Sequence, residues 1–239
     1  MSAEPAWCLM QVKPEDVPLT RSLFSKHLHK KEKQQQLEKY LSRHKRQAHL
    51  LGKELEDFPF FSQNPENFDC YTYVEDAFLF LDENVDLFFV NHINALLNQL
   101  WDEPQHEDCV DNHFEILELV VAHRVAPTQM LIGGLGWQKA TQLPGYLGNM
   151  LILPEEVDTA LSQISDLLDS VDYDAYFARA KTIGGRGMDN DSVATEVFDI
   201  LPSTLRWLSG EGCGLLALSH GHLGSFPFPA YAEEQGGGY

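Results

Sequence analysis

Two short apolar runs frame the chain, WCLMQV at 7–12 and CGLLALSHG at 213–221. Each is brief and each is bounded by a breaker, Pro14 after the first and Gly212 before the second, so both read as buried strands. PEDV at 14–17 has helix-start chemistry: a proline near the first turn, followed by Glu15 and Asp16 against the positive helix end. From about 18 to 56 the pattern is helical. Leu37, Leu41, His44, Ala48, Leu51 and Leu55 recur at steps of three and four and form one narrow apolar stripe. DLFFVNHINALLNQLW (86–101) repeats that pattern through Leu87, Val90, Ile93, Leu97 and Leu100, and NHFEILELVVAHRV (112–125) reads as a further helix. CYTYVEDAFLFL (70–81) fits strand and helix equally. LPEEVDTALSQISDLLDSV (153–171) is the clearest helix, with Pro154, Glu155 and Glu156 at its start and a stripe of Val157, Leu161, Ile164 and Leu168. The stripe predicts that Leu161 and Ile164 are buried. Another helix is expected over YDAYFARAK (173–181). SVATEVFDILPSTLRWLSGEG (192–212) reads as a helix interrupted near Pro202 and stopped by Gly210. LIGGLGW (131–137), LPGYLGN (143–149) and TIGGRGMDND (182–191) read as loops and turns. No internal repeat is present.

Strand, helices, glycine-rich loops, helices, strand is the order of an α+β protein: a mostly helical single domain with a small sheet that uses the N- and C-terminal strands. At 239 residues, one domain over 1–230 is expected. Its elaboration is a long basic helix near the N-terminus, at about 18–56. AYAEEQGGGY reads as a flexible tail, assigned to 231–239. Hydrophobic content of 44% supports a core. No run of 18 apolar residues exists, and MSAEPAWCLMQVKPEDV lacks the pattern of a secretory leader, so no membrane association and a cytoplasmic location are expected. Cys8, Cys70, Cys109 and Cys213 form no C-x-x-C pair and read as reduced thiols.

Charge divides the chain sharply. Residues 1–53 hold 11 Lys and Arg against 5 Asp and Glu, whereas residues 54–239 hold 6 against 31. The stretch 54–123 carries 17 carboxylates and no Lys or Arg, interleaved with Phe58, Phe60, Phe61, Phe68, Tyr71, Tyr73, Phe78 and Phe80. Such asymmetry speaks to partners and solubility.

Ile132-Gly133-Gly134, Gly145-Tyr146, Gly148, the helix start Leu153-Pro154-Glu155-Glu156-Val157 and Tyr173-Asp174 occur in that order, before a closing helix, glycine turn and apolar strand. In these the chain resembles the bacterial YfbM-like family, over about half its length. The N-terminal strand followed by PEDV fits the same layout. The resemblance implies an α+β fold. It carries no catalytic residues to transfer.

Several residues invite a chemical reading. His27-x-His29 and His220-x-His222 have metal-like spacing, but helical or terminal placement and the lack of a third ligand argue against a metal. His106, Asp108, Asp111, His113 and Glu115 could hold a cation or do acid–base work, and equally could be a solvated acidic loop. IGGLGW and IGGRGMDND lack the P-loop and dinucleotide-fold contexts. Cys213, between two glycines, opens an apolar strand and lacks the electropositive setting of a nucleophile. Ser219-His220 has no nameable third triad member. The basic helix could meet nucleic acid, but the excess of negative charge elsewhere weakens that, so no nucleic-acid partner is expected. A simpler reading lays that helix on the acidic body through weak surface pairs.

The favoured expectation is an acidic, non-enzymatic binding protein, an immunity or antitoxin-like inhibitor that captures a basic protein partner such as a toxin. Carboxylates steer a cationic partner and aromatic rings anchor it. Glu75, Asp76, Asp82, Glu83, Asp86, Asp102, Glu103, Asp108 and Asp111 are the partner-binding candidates. No cofactor and no metal are expected, and oligomeric state is left open. The alternatives are a metal-dependent or hydrolytic enzyme using the His/Asp cluster at 106–115, and an adaptor or structural protein.

Overall fold

The computed structural model describes residues 4–23, 30–57, 61, 114–122, 125–145, 148–184 and 190–223. The two end strands do form, and they pair with each other. β1 (Glu4–Val12) and β4 (Gly214–Leu223) are antiparallel, with Trp7 opposite Ser219 and Met10 opposite Leu216. β2 (Glu115–Val121) flanks β1 and β3 (Met150–Ile152) flanks β4, both antiparallel, giving the order β2-β1-β4-β3. The two longest apolar runs therefore occupy the two central positions. That placement explains why they lack polar alternation: both faces of a central strand are covered. Trp7, Leu9, Leu215 and Ala217 belong to the main core, while Cys8, Met10, Val12, Leu216 and Leu218 form a second cluster with Phe114.

The helices are α1 (Val17–Leu23), α2 (Lys30–Leu50), α3 (Pro127–Leu135), α4 (Trp137–Ala140), α5 (Val157–Asp169), α6 (Tyr173–Gly184) and α7 (Asn190–Glu211). The protein is thus α+β, with a small antiparallel sheet and a helical layer over it. α3 is the centre of that layer and every one of its residues is buried. Pro127 presets its first turn, and the Ala126 amide donates to Gln129 Oε1 at 3.1 Å. α5 begins similarly, since the Leu153 amide donates to Glu156 Oε2 at 3.1 Å.

Five expectations need correction. NHFEILELVVAHRV is not a helix; its centre is β2. Ile116 and Leu119 face one core cluster while Leu117 and Val120 face the other, so the crowded apolar pattern is that of a strand covered on both sides. LIGGLGW is not a loop. Residues 131–135 complete α3, and glycine is required there by packing: a Cβ on Gly134 would lie 2.5 Å from Tyr176 Cε2. Pro202 does not interrupt α7, which runs on to Glu211 and ends before Gly212 at φ 66°. Ser203 Oγ donates to the Asp199 and Ile200 carbonyls beside that proline, at 2.8 and 2.9 Å. Finally, the stripe over 18–56 is shorter than its periodicity implies. Leu37, His44 and Ala48 are buried, but Leu51 lies past the end of α2 and is 57% exposed. On α5, Ile164 is fully buried, whereas Leu161 is only partly so.

Candidate functional site

The nine partner-binding candidates, Glu75 through Asp111, lie outside the described residues. So do His27, His29, His106 and His113, and with them the helix expected at 86–101. Glu115 opens β2 and is exposed. His220 and His222 are within β4, not beyond it, and His220 is opposite Ala6. Among the described residues no group of three or more His, Cys, Asp or Glu side chains is placed to hold a metal ion.

The nucleophile candidates are engaged in structural bonds. Cys213 is buried, and its Sγ accepts a hydrogen bond of 3.0 Å from Gln11 Nε2. Ser219 Oγ shares a buried hydrogen bond of 2.6 Å with Thr128 Oγ1, and its amide donates to Asn149 Oδ1 at 2.7 Å. Beside them Trp7 Nε1 donates to the Gly148 carbonyl at 3.0 Å. This network ties β1, β4 and the turn before β3 to the start of α3. Burial pushes the Cys8 thiol up to about 12, so it stays protonated and inert.

The described surface with the most organised chemistry lies on α6 and α7. Asp172 Oδ1 accepts the Ala175 amide at 3.1 Å and caps the start of α6. Tyr173, Tyr176 and Phe177 then fall at i, i+3 and i+4, so one face of α6 is aromatic. That face meets Phe198 of α7. Tyr176 is buried, lies 4.6 Å from Phe198 between ring centroids, and donates its hydroxyl to the Ala194 carbonyl at 3.0 Å. Tyr173 covers the cluster from outside. It stacks on Phe177 at 6.1 Å, meets Phe198 edge-on at 5.2 Å, and donates to Thr195 Oγ1 at 3.3 Å. It remains 40% exposed.

Exposed carboxylates adjoin these rings: Asp172 and Asp174 flank Tyr173 in sequence and Asp199 follows Phe198, while Glu196 lies on α7 where it faces Glu118 of β2. Burial and then the neighbouring Glu118 raise Glu196 above the ordinary carboxylate range. Burial, Tyr173 and Asp199 raise the Tyr176 hydroxyl in the same direction. Arg179, whose charge interacts with Asp172, donates its Nε to the Gly134 carbonyl at 2.8 Å, at the end of α3. The sequence from 190 to 211 holds four carboxylates and one cation, Arg206. Half-exposed rings among carboxylates suit a Lys or Arg side chain, which gains cation–π and charge-assisted contacts together.

The sequence reading took 173–181 only as a helix and missed this face. Its signal was present as DYDAYF followed by EVFD, two short motifs whose rings meet only after folding.

The basic elaboration is tied down by aromatic packing. His44 of α2 stands 5.3 Å from Phe61, and Phe61 stands 5.2 Å from Trp137, centroid to centroid. Lys45, Arg46 and His49 are exposed. Among the described residues an ion pair reaches the acidic part of the chain from this region, Arg21 Nη2 to Glu155 Oε1 at 2.8 Å, with both side chains about half exposed. A pair so exposed contributes roughly 0–1 kcal/mol. A polar cavity of about 250 Å³ lies at the end of α2, between Lys45, His49, Lys53, Glu54 and Glu56.

No helix among the described residues is long and apolar enough to cross a membrane. Comparison of the chain with family models, with curated proteins and with solved structures finds no match in any of the three.

Proposed function

We propose that the protein is an acidic, non-enzymatic binding protein of the cytoplasm that captures a basic protein partner, in the manner of an immunity or antitoxin-like inhibitor. The observation that carries the reading is the α6–α7 face, where the half-exposed Tyr173 ring lies beside exposed Asp172 and Asp174 at the start of its own helix and exposed Asp199 on α7. A cationic side chain can be steered there by the carboxylates and held by the ring. Structural engagement of Cys213 and Ser219 supports a binding role over nucleophilic catalysis by either residue. The acidic stretch at 54–123 adds charge of the same sign and extends the steering field.

The test is co-expression with the basic protein encoded beside this one, followed by isolation of the pair and assay of the partner's toxicity. The expected result is a stoichiometric complex that suppresses toxicity, weakened by Glu196→Lys with Asp199→Lys. A neighbouring frame that encodes no basic protein, or a complex indifferent to the two substitutions, contradicts the proposal.

A further inference from the structure

The large hydrophobic side chains that stand exposed among the described residues are Leu50 at 77%, Leu51 at 57%, Trp207 at 48% and Tyr173 at 40%. They fall in two places of opposite charge. Leu50 ends α2 and Leu51 follows it, after the exposed Lys45, Arg46 and His49 and before the exposed Lys53, Glu54 and Glu56. Tyr173 and Trp207 mark the two ends of the outward face of α7. Thr195, which receives the Tyr173 hydroxyl, and Trp207 are twelve residues apart, roughly 18 Å along a helix. Glu196 and Asp199 lie between them, exposed, and Arg206 is exposed beside Trp207. Both places are open in the same molecule, so neither covers the other.

We propose that a second copy of the chain is the occupant of the α7 face: the basic, leucine-tipped end of α2 in one molecule docks on the acidic, aromatic face of α7 in another. Charge complementarity commits the pairing. Lys45 and Arg46 meet Glu196 and Asp199, and Leu50 and Leu51 meet Trp207. The surfaces are different patches, so the contact is head-to-tail and grows into open chains or closes as a ring; it is not a two-fold dimer. It uses the same acidic face as the binding function proposed above without depending on it, and a foreign basic partner would compete with it.

Net charge gives this contact a signature of its own. Each molecule carries −19, so two copies repel at long range. At very low salt that repulsion dominates. Near physiological ionic strength it is screened beyond about 8 Å, while contacts closer than that persist. At high salt the contacts weaken too. Self-association therefore peaks at intermediate salt, whereas capture of a basic partner weakens steadily as salt rises.

The experiment is sedimentation velocity on the full chain over a concentration series at low, intermediate and high salt. Wild type, Lys45→Glu/Arg46→Glu and Glu196→Lys/Asp199→Lys are compared. All four positions are exposed, and circular dichroism with a thermal midpoint confirms that each variant is folded. The expected result is concentration-dependent association strongest at intermediate salt, with apparent affinity lowered about tenfold or more in each variant. The two variants, mixed, regain association with each other, because each reversed patch then faces one of opposite sign. A monomer at every concentration, a closed dimer unaffected by either variant, or variants that fail to associate when mixed overturns the proposal. A wild type that never self-associates yet still captures its basic partner overturns this inference alone.

Discussion

Single residues set the sharpest expectations. Ile164 is fully buried in the main core, and Leu161, three residues earlier on α5, is only partly covered. Ile164→Ala is expected to destabilise by about 2–5 kcal/mol, and Leu161→Ala by clearly less, as read by chemical denaturation. Equal losses would show that the stripe is buried evenly. Gly134 offers a test of the opposite kind. Its missing Cβ leaves room for the Tyr176 ring, so Gly134→Ala forces α3 and α6 apart and costs about 1–3 kcal/mol. Gly210, also helical, has open space around a built Cβ, so Gly210→Ala is neutral or stabilising. Cys8 adds a pH dependence. Its folded thiol is raised from 9.0 to about 12, so folded and unfolded chains bind the same proton below pH 9. Above that, the unfolded thiol ionises first and the folded state loses stability as pH rises towards 12. Tyr176, raised by burial, acts in the same direction. Unfolding midpoints from pH 8 upward should fall less steeply in Cys8→Ala, and an unchanged slope would contradict the burial of that thiol.

At the scale of elements, what the sequence discloses depends on where its causes lie. β1, β4, α5 and α6 are legible because each is determined locally: an apolar run with a breaker beside it, or a capped start followed by a single stripe. β2 and α3 are not. EILELVV reads as a helix because apolar residues on both faces of a strand leave no alternation to detect. LIGGLGW reads as a loop because Gly134 answers to Tyr176, more than 40 residues away in sequence, and Gly136 to the positive φ at the helix end. β3 is three residues long and has no period of its own. The aromatic face of α6–α7 has the same character, with Tyr173 and Phe198 brought together by the packing of two helices. The hydroxyl of Tyr176 fixes that packing through the Ala194 carbonyl. Tyr176→Phe removes this bond while the Ala194 carbonyl keeps its helical partner, at a cost of about 0.5–1.5 kcal/mol in the unfolding transition. A change too small to resolve would mean that ring contacts alone hold α6 on α7.

For the whole molecule, the central matter is its divided charge. The basic N-terminal part and the acidic remainder are joined by at least the Arg21–Glu155 pair, which is exposed and weak. Lys45, Arg46 and His49 stay open to solvent, as do Glu196 and Asp199 on α7. The charges are thus presented at the surface, where they act on other molecules and on solubility together. Solubility alone needs no exposed aromatic rings beside these carboxylates, and Tyr173 and Trp207 stand exposed there at 40% and 48%. The most direct measurement is the association rate with the basic partner, by stopped flow, as salt is raised from about 0.05 to 0.5 M, for wild type and Glu196→Lys/Asp199→Lys. The account predicts a wild-type rate that falls steeply with salt, a slower and flatter rate in the variant, and convergence of the two at high salt. Equal rates and equal salt slopes for the two proteins would contradict it.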